Sequence, residues 1–301
     1  MEYSSWKLFI DAADLGSLSK TAAAYTTTQP HISRQIAALE KECGGRLFQR
    51  TGRGVVLTEL GQRIAPLVRA WLASTDQLAA DIRSTSGTPV GTVRVGTLPS
   101  MAHPLVSTLY YRIKERYPLI RLIVREGQGA QLETWLEDGS VDLAILYRYS
   151  GSGDDISLVE TGTYLVGAKG DPLLSRDQIP FSALHKLPLV LFCRPSIWRD
   201  RLEQIAASQR ISLDVVLEAD SLRLQTQVIA NGDGYGLLGS YAIIAAPERT
   251  HLKWSPIVKP EIPRSVSLAM SKHGHPSLAM RTVMNVAREI AKEGMTLQRM
   301  P

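Results

Sequence analysis

Apolar residues recur at helical spacing from the start of the chain to about residue 86, interrupted by prolines only at Pro30 and Pro66. Ser84-Thr85-Ser86-Gly87-Thr88-Pro89 then breaks the pattern with small and turn-forming residues, which marks a linker. Beyond it the period changes. Short β-rich runs (Thr92–Gly96, Ile120–Arg125, Val141–Leu146, Tyr164–Ala168, Leu189–Phe192, Val215–Leu217, Leu237–Leu238 and Val266–Met270) alternate with amphipathic stretches near 101–116, 130–138, 197–208, 221–231 and 276–293. That alternation predicts an α/β domain with a mostly parallel sheet, either one sheet or two smaller ones.

Three short helices are expected between Ser5 and Glu42. The first ends at Gly16, which suits a C-cap, and Ser17 caps the second, about Leu18 to Tyr25. Thr26-Thr27-Thr28 makes a short turn, with Thr28 placed to cap the third helix. Pro30 is tolerated there because first-turn N–H groups have no intrahelical partner. Ile32, Ile36 and Leu39 face inward, which leaves Gln29, Pro30, His31, Ser33 and Arg34 at the exposed N-terminal end. Two helices joined by a tight turn, the second starting with polar and basic side chains, make a helix-turn-helix. Arg34, Gln29 and Ser33 carry the hydrogen-bonding groups that read base edges or phosphates. Gly45 to Thr58 reads as a short β-hairpin wing carrying Arg46, Arg50 and Arg53. A three-helix interaction domain with a basic edge is the competing reading.

Charge favours nucleic acid by its placement rather than its sum. The 34 basic and 29 acidic residues leave a mild +5, and 44% hydrophobic with 21% charged residues is ordinary for a globular chain. From His31 to Arg53, however, five Lys/Arg face two Glu, a local +3 where a phosphate backbone would lie. Two cysteines, Cys43 and Cys193, exclude a disulfide framework or a zinc ribbon and fit a reducing compartment. No apolar run approaches the roughly 20 residues of a membrane helix. Acids interrupt the first apolar stretch, unlike a signal peptide, so a cytoplasmic location and no membrane partner are expected.

The string Phe9…Gly16-Ser17-Leu18…Ala22-Ala23…Thr28-Gln29-Pro30-His31-Ile32-Ser33-Arg34-Gln35-Ile36…Leu39-Glu40…Gly44…Leu47-Phe48…Arg50…Leu57-Thr58…Gly61 resembles the winged helix-turn-helix of LysR-type transcriptional regulators. Tyr25, Thr28 and Cys43 replace a usual leucine, serine and leucine while keeping the local chemistry. The resemblance implies an N-terminal all-α winged helix-turn-helix over residues 1–58, and a dimerisation linker helix and hinge over 59–89. It also implies a C-terminal α/β, two-lobed, periplasmic-binding-protein-like effector domain over 90–301. Lobe I would take about 90–161 and 264–301, and lobe II about 162–263. Pattern alone makes Thr58 to Ser84 one long helix, with Leu57, Ile64, Trp71 and Leu78 in one seven-residue series and Leu60 and Leu67 in another. Packing on its own domain is the alternative for that helix, and Pro66 is expected to kink it or break its first turns. The resemblance implies a homodimer through this helix, paired into a homotetramer. Its partners would be double-stranded DNA at a quasi-palindromic promoter site and RNA polymerase.

The resemblance continues through Arg116-Tyr117-Pro118, Glu126-Gly127, Gly139-Ser140-Val141-Asp142-Leu143-Ala144-Ile145 and Asn231-Gly232-Asp233-Gly234. In open α/β sheets ligands sit beyond the carboxyl ends of strands, often against helix N-termini. That rule points to Ser100 and Met101, to Tyr147 and Arg148, and to Arg194 and Ser196, with the arginines as anion partners and Tyr147 as a wall. A plain N-cap for Ser100 and rim salt bridges for the arginines are the ordinary alternatives. Gly129 stands where the family often carries Ser or Thr. The expected effector is a small organic anion, with no cofactor and no metal. Gly234-Tyr235-Gly236-Leu237-Leu238-Gly239 satisfies GxGxxG but follows a helix and resembles a strand, the wrong context for a dinucleotide site. His273 and His275 lack a nearby third ligand, and Ser100 with His103 lacks an acid partner, so an enzyme is not expected. The leading function is a ligand-responsive transcription factor. The alternative is a soluble intracellular solute-binding protein with a helical oligomerisation module.

Overall fold

A computed structural model describes residues 2–52, 54–83, 87–148, 155–272 and 276–293. Helices α1 (Tyr3–Leu15), α2 (Leu18–Ala24) and α3 (Gln29–Cys43) close around Phe9, Ile32, Ile36, Leu39 and Leu47. Gly16 ends α1 in the left-handed region at φ 59°, and the Ser17 hydroxyl accepts from the Lys20 N–H. Thr28 holds the N-cap position of α3, yet its hydroxyl makes no capping hydrogen bond. Pro30 removes one of the two N–H groups that such a hydroxyl serves, and the His31 N–H goes to the Thr28 carbonyl at 3.0 Å.

Strands β1 (Phe48–Thr51) and β2 (Gly54–Leu57) pair antiparallel as a wing. Glu40 ties it to α3 by accepting from the Leu47 and Phe48 N–H groups at 2.8 and 3.1 Å. Helix α4 (Glu59–Arg83) then runs 25 residues without interruption through Pro66. The expected break is absent because Ala65, Val68 and Leu72 are buried in the head's core and hold the axis across the lost hydrogen bond. Gly61 lets α4 approach the wing: a Cβ there would lie 2.3 Å from the Leu47 carbonyl oxygen. On the other face Leu67, Leu78 and Ile82 are 64%, 61% and 64% exposed.

Past the linker come β3 (Gly91–Thr97), α5 (Pro99–Met101), a π-helical turn (Ala102–Val106), α6 (Ser107–Arg116), β4 (Ile120–Glu126), α7 (Gly129–Glu137), β5 (Leu143–Arg148) and β6 (Ile156–Thr161). The chain then builds a second unit from β7 (Thr163–Ala168), β8 (Ile179–Pro180), β9 (Pro188–Leu191), α8 (Ile197–Ser208), β10 (Asp214–Glu218), α9 (Leu222–Ala230), β11 (Tyr235–Gly239), α10 (Ser240–Ala245) and β12 (Leu252–Val258). It returns to the first through β13 (Arg264–Met270) and α11 (Leu278–Lys292). The sheet orders are β4-β3-β5-β13-β6 and β10-β9-β11-β7-β12-β8. Both sheets are mixed rather than mostly parallel. The strands that carry the chain across, β13 and β7, enter antiparallel to β5 and β6 and to β11 and β12. Each lobe has its own apolar core, around Val95, Leu109 and Val283 in the first and Phe181, Leu189 and Leu237 in the second.

Candidate DNA interface and effector cleft

The inward residues of α3, Ile32, Ile36 and Leu39, are buried, and this fixes what its N-terminal turn shows to solvent. Pro30, His31 and Arg34 are exposed, and Gln29 and Ser33 are half-buried. Among the described residues, the side chains of Gln29, His31, Ser33 and Arg34 have no protein partner. Arg50 is exposed on β1, and Arg46 lies exposed just before that strand. Arg53 lies outside the described residues. Tyr25, which stands at the end of α2 where an apolar residue was expected, donates its hydroxyl to Asp11. Burial and that carboxylate push the Tyr25 hydroxyl well above its ordinary range, so it stays a neutral donor.

A cavity of about 220 Å³ opens between the two lobes. It is built at the carboxyl ends of strands, as the α/β rule requires: Ser100 follows β3, Tyr147 and Arg148 end β5, and Gly239 closes β11. From lobe II, Phe192 and Trp198 supply flat apolar walls, and Asp220 stands before α9. Gln128, before α7, donates its Nε2–H to the Asp220 carbonyl at 2.9 Å, a hydrogen bond from one lobe to the other. A Cβ at Gly239 would come within 2.7 Å of the Tyr147 hydroxyl, so glycine there leaves room for that ring.

The residues anticipated for the cleft do not all reach it. Ser100 is 8% exposed and lines the cavity, and its hydroxyl has no partner among the described residues. Tyr147 lines it as expected. Met101 does not: it is fully buried in the core of lobe I, because one further step along the helix turns the side chain inward. Arg148 reaches the cavity with its guanidinium held by Glu133 and Asp155. Arg194 lies outside the lining and pairs with Asp200 and Glu203. Ser196 lines the cleft while its hydroxyl accepts from the Arg199 N–H at the start of α8. Gly129 also lines it, and a Cβ there would meet nothing within 4 Å.

Sequence reasoning missed Trp198, Gln128 and Arg264, although Arg264 directly follows the second expected lobe crossing near Pro263. Cys193 lines the cavity as well. Desolvation and the neighbouring Asp220 carboxylate push its thiol up, away from a reactive thiolate. Residues 235–239 of the GxGxxG string are strand β11, which follows α9; its second glycine lies inside that strand and α10 begins only after Gly239, so the glycines form no loop between a strand and a helix. No group of metal-ligating side chains occurs among the described residues, and His273 and His275 lie outside them.

A winged helix-turn-helix head, a long helix with an unpartnered apolar face, and two lobes around a cleft define a ligand-responsive transcriptional regulator. The chain belongs to the LysR family. Residues 4–62 match the bacterial regulatory helix-turn-helix protein, lysR family, and residues 86–292 match the LysR substrate binding domain. It is 29% identical over 283 residues to the nitrogen assimilation regulatory protein nac of Klebsiella aerogenes, covering 93% of this chain and 92% of that one. It is 25% identical over 295 residues to the HTH-type transcriptional regulator YvbU of Bacillus subtilis, covering 96% and 99%. In three dimensions it is similar to full-length OxyR of Pseudomonas aeruginosa, with TM-score 0.73, 19% identity and coverage of 100% and 99%. It is also similar to full-length CbnR complexed with target DNA, with TM-score 0.67, 17% identity and coverage of 97% and 99%. The protein is thus a DNA-binding transcriptional regulator with an effector-binding domain, in a family of regulators rather than enzymes. Among the described residues no helix is long and apolar enough to cross a membrane.

Proposed function

We propose that the head reads the major groove with the N-terminal turn of α3. Gln29, His31, Ser33 and Arg34 meet base edges and phosphates, Pro30 stiffens the turn, and Arg50 with Arg53 holds the backbone alongside. Two copies join through the exposed face of α4 and meet the two halves of a quasi-palindromic promoter site. Two such dimers pair as a homotetramer, whose geometry on DNA governs access of RNA polymerase. The effector is a small organic anion in the interlobe cleft, in contact with Ser100, Tyr147 and Ser196. It acts by preferring one lobe arrangement, since equal affinity for both would shift nothing. The protein works in the cytoplasm.

The observation that carries this reading is the unpartnered set Gln29, His31, Ser33 and Arg34 at the start of α3, on a helix whose opposite face is fully buried. The test is a titration of the full chain against DNA from upstream of its own gene across a salt series. Log affinity should fall steeply and linearly with log salt, because phosphate contacts release counterions. Absent or salt-independent binding would overturn the reading.

A further inference from the structure

Arg264 opens β13 in lobe I, lines the cleft, and is only 4% exposed. Its Nε donates to the Thr163 hydroxyl at 3.1 Å and one terminal nitrogen donates to the Leu237 carbonyl at 3.0 Å, both partners belonging to lobe II. Its guanidinium lies 3.6 Å from the Trp198 ring centre and 5.3 Å from that of Tyr147. Every one of these partners is neutral, and no carboxylate among the described residues pairs with it. The other arginines around the cleft are neutralised: Arg148 by Glu133 and Asp155, Arg194 by Asp200 and Glu203, Arg199 by Glu203 and Glu218.

A guanidinium cannot discard its proton to escape burial, so an uncompensated buried arginine is an unfavourable arrangement unless something else brings the counter-charge. The same cavity holds a second unmet group, the Ser100 hydroxyl, 8% exposed and without a partner among the described residues. Its walls are Trp198, Tyr147 and Phe192, flat and mostly apolar. Of the three acids in the lining, Glu133 and Asp200 are paired with Arg148 and Arg194, while Asp220 has no cationic partner among the described residues and disfavours a second negative group.

We propose that Arg264 is the charge anchor of the effector, and that the effector is a compact monocarboxylate with a flat or branched apolar body. Its carboxylate takes the remaining terminal nitrogen of the Arg264 guanidinium, Nη1, with the Ser100 hydroxyl as a further donor, and its body lies against Trp198 and Tyr147. This rests on the cleft being the effector site. It replaces the anion partners that the sequence suggested, Arg148 and Arg194, with one that no carboxylate among the described residues neutralises. It also explains how binding is felt by both lobes, because Arg264 belongs to one and donates to the other.

The experiment is a thermal-shift and titration panel on the full chain. It uses aryl and branched-alkyl monocarboxylates, each beside its neutral carboxamide and its dicarboxylate counterpart. Some monocarboxylates should raise Tm by several degrees while their amides and dicarboxylates do not. Arg264→Gln should remove the preference for acid over amide, Arg264→Lys should keep a weakened one, and Ser100→Ala should reduce affinity by roughly tenfold or less. The lysine variant guards against a glutamine variant that fails to fold. Amides shifting Tm as well as acids, acid shifts that survive Arg264→Gln, or no shift from any monocarboxylate would overturn the proposal. A filled cleft, Gly129→Trp, separates the two levels. If it abolishes amide binding, the cleft stands as the effector site and only the Arg264 anchor falls. If ligands still bind that variant, the cleft reading itself falls.

Discussion

At the residue scale, side chains of one chemical type divide into those the fold has already engaged and those it leaves for a partner. Arg34 and Arg50 are both exposed and unpartnered among the described residues, yet they sit differently, one on the recognition helix and one on the wing. Arg34→Ala should therefore cost about 1–3 kcal/mol on the preferred site and relax sequence preference, whereas Arg50→Ala should weaken all sequences alike and lower the salt slope by about 1. Competition binding with scrambled DNA distinguishes them, and identical behaviour of the two variants would count against the docking. Tyr3 belongs to the engaged class: its hydroxyl donates to Asp76 at 2.5 Å, bridging α1 and α4. Burial and the Asp76 carboxylate push its pKa up to about 12. A raised tyrosine pKa means the folded state holds the proton more tightly than the unfolded chain. The stabilisation is complete below the ordinary tyrosine value near 10 and is lost as pH rises through the folded value. Tyr3→Phe should lower stability by about 1 kcal/mol at neutral pH, and the gap from wild type should shrink above pH 10, read from urea midpoints. A gap that widens with pH would contradict this account. The sequence made Ser100 and Tyr147 readable, because strand ends are where α/β sheets place ligands. It could not show that Arg148 meets Glu133 and Asp155, nor that Arg194 meets the acids of the following helix, since those pairings exist only after the lobe has folded.

At the scale of elements, α4 has two apolar faces and only one of them is covered. Ala65, Val68 and Leu72 pack into the head, while Leu67, Trp71, Leu78 and Ile82 stay exposed, with Trp71 in contact with the Tyr3 ring at 5.7 Å. Each large side chain buried between two copies would contribute about 1.5–3 kcal/mol. Leu78→Glu combined with Ile82→Glu should shift the protein towards monomer in a sedimentation concentration series while leaving head stability unchanged, because neither residue packs in the head core. Unaltered association in that series would move the dimer contact off this helix. Most of the helices and ten of the strands, the two of the wing included, were legible because apolar periodicity and turn composition are local properties. Strands β6, β8 and β12 were not. β8 is two residues long, β12 carries Pro256 within its run, and β6 gains its place only by pairing with β13, more than a hundred residues later. The mixed direction of both sheets escaped for the same reason: it follows from where the chain crosses between lobes.

At the scale of the whole molecule, regulation needs the two lobes to have more than one arrangement, with the effector preferring one. The chain passes between them at Gly162 and again over residues 259–263, so relative rotation deforms only short connections. Against that freedom stand contacts from one lobe to the other: Arg264 to Thr163 and to Leu237, and Gln128 to the Asp220 carbonyl across the cleft. The last is the most informative to remove, because Gln128 donates through an exposed side chain and lies outside both lobe cores. A hydrogen bond of this kind contributes about 1 kcal/mol, which is about a fivefold change in the balance between closed and open cleft. Gln128→Ala should therefore leave the melting of each lobe almost untouched and widen the effector-free particle in small-angle scattering. It should also weaken apparent effector affinity by about fivefold, since part of the binding energy must now close the cleft. Operator affinity without effector should change only if DNA selects the closed arrangement, so fluorescence anisotropy on labelled operator, with and without ligand, measures which arrangement DNA prefers. An affinity loss with no change in scattering would mean Gln128 acts on the ligand directly. No change in either would mean that the closed cleft is held by the Arg264 contacts and that Gln128 adds nothing to them.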